Sequence, residues 1–312
     1  MNGNQFRFRE LVRPGTRFDF MKNKWVFAAI SGGLFFASLI SFAVKGMNYG
    51  IDFAGGIETQ VQFKSRVEPG ELRATLEKGG LKNLSVQQFG SAEHHEFLLR
   101  AKGGETDLYQ FSSNITERLN DKFGEGNFEI RRVDIVGPQV GNELKKAGFL
   151  AILYAFIGIL LYTAIRFDFT YAPGAVIALV HDVTITAGIF SMTGREFNLP
   201  VVAALLTIIG YSINDTIVVF DRIREIRRHK PIDPLHAVIN EAMNETLSRT
   251  ILTSLTVLMV VVILFFYGGA TIEDFSFALV IGVIVGSYST IGIASPMMYG
   301  FHLLRTRKLK KV

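Results

Sequence analysis

Two aspartates sit inside apolar stretches long enough to cross a membrane: Asp215 in YSINDTIVVFDRIRE and Asp182 in ALVHDVTIT. A charged side chain at the centre of a spanning helix costs about 2.5 to 3.5 kcal/mol even on the lenient insertion scale, so such residues demand a partner or a function. Proton carriage is the chemistry open to them. Burial penalises the ionised form of a carboxyl and a neighbouring arginine favours it, so a carboxylate whose cationic partner comes and goes can load and release a proton. Arg249, in SRTILTS at the cytoplasmic start of the fifth apolar segment, is the candidate partner for Asp215, or else a marker of the membrane interface. Asp215 falls roughly 8 Å from the cytoplasmic end of its segment and Asp182 roughly 13 to 15 Å. The loop TGREFN between their segments is short, which could bring both acids to similar levels of one bundle interior. Asp182 reads equally as a relay acid or a packing acid. A direct His181–Asp182 dyad is not expected, because sequence neighbours do not share a helix face. Asn214 is expected to make an interhelical hydrogen bond, and Asp221 with Arg222 to begin a solvated charge run at the interface.

The elements that must position these groups follow from composition. The chain has 312 residues, 49% of them hydrophobic and 27 of them Phe, which does not describe an ordinary soluble protein. Six segments reach or approach the spanning length of about 18 to 20 residues: 25–44, 147–165, 173–192, 199–220, 251–267 and 277–301. The fifth is the shortest. The net charge of +5 matters through its placement. Basic residues cluster before the first segment (Arg7, Arg9, Arg13, Arg17, Lys22, Lys24), between the fourth and fifth (Arg222 to Lys230, and Arg249), and after the sixth (Arg305 to Lys311), whereas the short loops assigned to the opposite side hold only Arg195. By the positive-inside rule both termini are cytoplasmic. Segregation by membrane side accounts for these clusters without nucleic acid as a partner. The absence of Cys removes disulfides and thiolate chemistry. His94 and His95 lack the spacing of a metal site.

The organisation expected is a cytoplasmic segment (1–24), a first transmembrane helix (25–44), an exported domain (45–146), a bundle of helices two to six (147–301) and a basic tail (302–312). Within the exported part, IETQVQF alternates as a half-buried strand. EPGELRATLEKGG reads as a helix with Leu72 and Leu76 on one face and Gly79 as its stop. LSVQQFG and EFLLRAK pair across a polar turn, a second helix presents Leu108, Phe111, Ile115 and Leu119, and FEIRRVDIVG closes as a strand. The order β-α-β-β-α-β is the ferredoxin-like arrangement. The fold class is thus a polytopic α-helical membrane protein with one ferredoxin-like α+β domain between helices one and two. Gly-rich necks, MNYGIDFAGG and VDIVGPQVGNEL, read as defined turns where domain meets membrane. Gly148, Gly158, Gly174, Gly188, Gly210, Gly282, Gly286 and Gly292 read as close-approach points between helices.

GIDFAGG, VGPQVGNEL, HDV, and above all YSINDTIVVFDRIRE followed by LSRTILTSLT, resemble the SecF subunits of the SecDF protein-export complex, within the resistance-nodulation-division transporter group. The resemblance covers nearly the whole chain. It implies a bacterial inner-membrane protein, not an enzyme and without a cofactor, that pairs with a SecD-like subunit. With that subunit and the Sec translocon it would use the proton gradient to promote late movement of a translocating polypeptide. It further implies that Asp215 and Arg249 are relay positions, with a weaker role for Asp182; Na+ is an alternative coupling ion. Three other readings stand beside it. They are one half of a proton-driven small-molecule exporter, a scaffold subunit, and an aspartyl protease dyad of Asp182 and Asp215, which YSIND does not favour.

Overall fold

The computed structural model describes residues 17–78, 84–89, 95–101, 105–167 and 170–309. Arg7, Arg9, Arg13, Gly79, His94, Lys310 and Lys311 lie outside the described residues, as do the side chains of Leu108, Phe111, Arg307 and Lys308. In chain order come α1 (Lys24–Val44), α2 (Ile51–Ala54), β1 (Gly56–Phe63), α3 (Pro69–Lys78), β2 (Leu84–Phe89), β3 (Glu96–Ala101), α4 (Glu105–Phe123) and β4 (Phe128–Val136). They are followed by α5 (Pro138–Arg166), α6 (Ala172–Thr193), α7 (Leu199–His229), α8 (Leu235–Tyr267), α9 (Ala270–Ser289) and α10 (Ser295–Leu309). A π-helical turn, Thr290–Ala294, joins α9 to α10. Among the described residues six helical spans, the last running through that turn, are long and apolar enough to cross a membrane.

The spans form two layers. At least half of the most apolar stretch of α6, of α7 and of the α9–α10 span is buried, against less than a fifth for α1, α5 and α8. Lipid-facing surface on the outer helices is the expected complement of this, since apolar side chains there need no protein partner. Several helices outrun the apolar segments. Gly137 precedes a Pro at the first position of α5, where a fixed φ and a missing N–H cost nothing, so α5 starts nine residues before the expected Ala147. The fifth span, expected to be the shortest, belongs to the longest helix, at 33 residues. Its N-terminal part carries Val238, Ile239, Ala242 and Met243 at helical spacing, and these share a buried cluster with Ile223 and Ile226 of α7. Lys230–Glu241 at 2.6 Å, and Arg222 with Glu225 and Glu245, dress this α7–α8 hairpin. The N-terminal segment is strapped to it. Asn240 donates to Asp19 at 2.7 Å, and that bond, with the Lys22 N–H, holds the Asp19 carboxyl below the usual range.

The domain between α1 and α5 is one antiparallel sheet, ordered β2-β3-β1-β4, as the β-α-β-β-α-β reading requires. Leu72 and Leu76 of α3, with Ile115 and Leu119 of α4, pack against Ile57, Val61, Phe63, Phe97 and Leu99 from the two central strands. Both helices therefore cover one face. The domain hangs from tight glycine geometry: Gly55 and Gly56 have φ of +74° and +153°, and a Cβ on Gly55 would sit 3.0 Å from Pro138 Cα. A Cβ on Gly56 would collide with the Ala101 carbonyl of β3.

Gly56→Ala should destabilise the folded protein by about 2 kcal/mol or more, combining a strained φ with a backbone clash. Gly126→Ala, at φ +78° with open space around it, should cost about 1 kcal/mol. Thermal unfolding of the detergent-solubilised variants, followed by circular dichroism, checks the order.

Candidate functional site

Asp182 and Asp215 are both buried, at 0% and 3% exposure, yet they stand in opposite hydrogen-bonding states. Asp182, on α6, accepts from Ser212 of α7 at 2.6 Å and from Ser289 of α9 at 2.7 Å through Oδ2. Its Oδ1 lies 2.9 Å from His181 Nδ1. The His181–Asp182 contact departs from the sequence expectation. Successive side chains diverge by about 100° around a helix, but Nδ1 sits beside the ring attachment and both side chains are short, so they bridge the gap laterally. With two serine donors and the His181 ring meeting on it, this carboxyl is a clamp that ties α6, α7 and α9 together.

Asp215 lies one turn further along α7 than Ser212, about 4.5 Å in rise, so the bundle does bring the two acids to neighbouring levels. No hydrogen bond joins them. Among the described residues Asp215 Oδ2 is buried without any hydrogen-bond partner. Arg249, the partner expected from the sequence, makes no ion pair with it within 4 Å and is exposed on α8. Asn214, expected between helices, is instead exposed on α7, because the 100° step that buries Asp215 turns its neighbour outward. Asp221 is half-exposed and bound in a two-pronged pair by Arg166 at the end of α5, at 3.0 and 3.1 Å.

Sequence reading missed the hydroxyls. Ser212 and Ser289 complete the Asp182 clamp, Thr216 meets Thr290 at 3.1 Å, and Tyr211, Ser254 and Ser287 form a second ladder across α7, α8 and α9 at 2.9 and 2.6 Å. Their signal was the recurrence of Ser and Thr inside spans four to six, with Ser212 one turn from Asp215. The π-helical turn begins at Thr290, beside this clamp, and such turns concentrate at functional sites. Gly286 permits the approach: a Cβ there would lie 3.1 Å from Ser212 Cβ. Gly158 and Gly210, also read as packing points, have open space around them.

Family models match over most of the chain: the SecD/SecF C-terminal protein-export membrane protein over residues 115–303, and the SecD/SecF GG motif over residues 40–65. The GG motif covers Gly55 and Gly56, whose geometry admits no side chain. The chain is similar to a protein translocase subunit SecF of Calditerrivibrio nitroreducens, 45% identical over 96% of this chain and 99% of that protein. It is also similar to one of Magnetococcus marinus, 46% identical over 93% of each. Among solved structures it resembles SecDF of Thermus thermophilus, described as a translocon-associated membrane protein, with TM-score 0.80 and 37% identity. That alignment covers 92% of this chain and 39% of the SecDF chain, so this chain spans well under half of the solved protein.

The contrast between the two acids predicts opposite sensitivities. Asp182→Ala takes their shared partner from Ser212 and His181, while Ser289 keeps the Gly286 carbonyl, and should lower stability by about 1 to 3 kcal/mol. Asp215→Asn loses no hydrogen bond and should unfold at the same temperature as the parent, or higher. Thermal melts of both purified variants measure this directly.

Proposed function

The chain belongs to the SecD/SecF family of protein-export membrane proteins, and from that premise we propose that it is a SecF-type translocase subunit driven by the proton gradient. Its partners would be a SecD-like subunit, the Sec translocon and a polypeptide in transit. Both termini and the α7–α8 hairpin would face the cytoplasm, where the basic clusters fall, and the sheet domain would face outward.

The observation that carries this reading is the contrast between Asp215, whose Oδ2 is buried without a hydrogen-bond partner, and Asp182, which Ser212 and Ser289 hold from two other helices. A change of charge at Asp182 would break bonds that tie helices together, whereas Asp215 has none to lose. Asp215 is therefore the loading group and Asp182 the fixed clamp beneath it. Arg249, exposed and unpaired on the neighbouring helix, is the cation whose approach would favour the ionised form and whose retreat would favour the neutral one. Moving one charge across the full potential is worth about 2.3 kcal/mol per 100 mV, enough to bias a two-state helix arrangement by one or two powers of ten per proton at ordinary potentials. Many cycles would then advance a chain.

The test is export of a secreted reporter into inside-out vesicles holding the partner subunit and translocon. Imposed H+ and Na+ gradients are compared for the parent and for Asp215→Asn. The expected outcome is a complex that assembles normally and loses the H+-driven increment while keeping the basal rate. A response to Na+ alone would reassign the coupling ion, and undiminished H+-driven export in Asp215→Asn would leave the chain as a scaffold.

A further inference from the structure

The segment that leads from α1 into the exported domain is knitted to the α6–α7 turn. Ser191 Oγ donates to the Gly46 carbonyl at 2.6 Å, and Asn48 Nδ2 to the Gly194 carbonyl at 2.9 Å. Phe197 N–H donates to the Asn48 carbonyl at 2.7 Å, and Gly50 N–H returns a bond to the Phe197 carbonyl at 2.9 Å. Asp52, in α2, accepts from the Leu199 N–H at 2.8 Å, at the first turn of α7. A carboxylate there satisfies an orphan donor and complements the positive end of the helix. Asn198 caps the same end through its own side chain.

Around these bonds the packing is stiff. Phe197 sits about equally far from Tyr49, Phe53 and Phe190, with ring centroids 6.0 to 6.3 Å away. Arg100 of β3 reaches across from the sheet to Glu196 in the turn at 2.8 Å, while holding Glu58 of β1 at 2.5 Å. The Arg100 and Glu196 side chains are only 15% and 18% exposed, so salt screens this pair far less than a surface bridge. Burial works against the charge on Arg100, but Glu196 and then Glu58 outweigh it, and the guanidinium holds its proton more firmly than a free arginine. Arg195, the next residue back, binds Glu273 and Asp274 at the start of α9 at 2.9 and 2.8 Å.

The geometry points to a rigid joint: the exported sheet domain and the outer end of α7 move as one body, with Asp52 and the Arg100–Glu196 pair as its fastening residues. α7 carries Asp215 some sixteen residues from that joint, so a tilt of α7 on proton loading reaches the sheet directly rather than through a slack linker. This rests on the reading of Asp215 as the loading group. It adds what that reading lacks, the residues that transmit the movement, and it assigns Asp52 and Arg100 a positioning role.

The joint can be broken or locked. A Cβ on Gly50 would lie 3.2 Å from Asn198 Cβ, close to disulfide spacing of about 3.5 to 4.5 Å, and the chain has no other cysteine. In the reconstituted vesicle complex, Asp52→Ala and Arg100→Gln should assemble with the partner and still take up protons in a pH jump. Their gradient-driven export should fall about threefold to tenfold, and Asp52→Asn, which keeps an acceptor oxygen, should recover most of it. The oxidised Gly50→Cys/Asn198→Cys protein should export as well as its reduced form. Loss of gradient-driven export on oxidation, restored by reductant, would show that the joint must open and would overturn the proposal. So would parental export by Asp52→Ala and Arg100→Gln. Failure of the underlying reading shows separately, as parental export by Asp215→Asn.

Discussion

A carboxylate surrounded by hydrocarbon must find its donors within the protein, because no solvent is there to supply them. Asp182 finds two on other helices, Ser212 and Ser289, and takes a third from His181 on its own. That requirement fixes the inner layer: α6, α7 and α9 must approach closely enough for short serine side chains to span the gaps. Gly286 makes the approach possible, and the π-helical turn begins just past Ser289. Asp215, one turn beyond Ser212 on α7, shares none of these donors, and its Oδ2 stays buried without a partner among the described residues.

The same helix connects the two halves of the molecule. At one end α7 is capped by Asn198 and Asp52 and gripped by the neck of the sheet domain. At the other it runs into the α7–α8 hairpin, where Ile223 and Ile226 pack against α8. A change of charge at Asp215 therefore acts on a long element anchored at both ends. On the proposed reading the energy per proton is small, which a shift of packed helices between two arrangements can use more readily than local unfolding.

Much of this was legible in the residues. Hydropathy marked the six spans, alternation and turn residues marked the sheet, and the membrane's penalty for charge singled out Asp182 and Asp215. The places that were not legible share a cause. Apolar run length marks where lipid must be faced, not where a helix ends, so the N-terminal part of α8 was hidden until Val238, Ile239, Ala242 and Met243 met α7. Serine and threonine in spans carry little hydropathy signal, and only the packing of three helices revealed which of them serve Asp182. Face periodicity argued against a His181–Asp182 contact because it follows Cβ positions, while the bond is made by atoms further out. Asn214, whose polarity suggested a place between helices, is turned outward on α7 within this chain.

The central claim is that Asp215, not Asp182, takes up the proton. Infrared difference spectroscopy on the reconstituted complex, recorded while the pH on one side is stepped, reports the carbonyl stretch of a newly protonated carboxyl group. The account predicts a band present in the parent and in Asp182→Asn and absent in Asp215→Asn. A band that survives Asp215→Asn, or that disappears in Asp182→Asn alone, would contradict it.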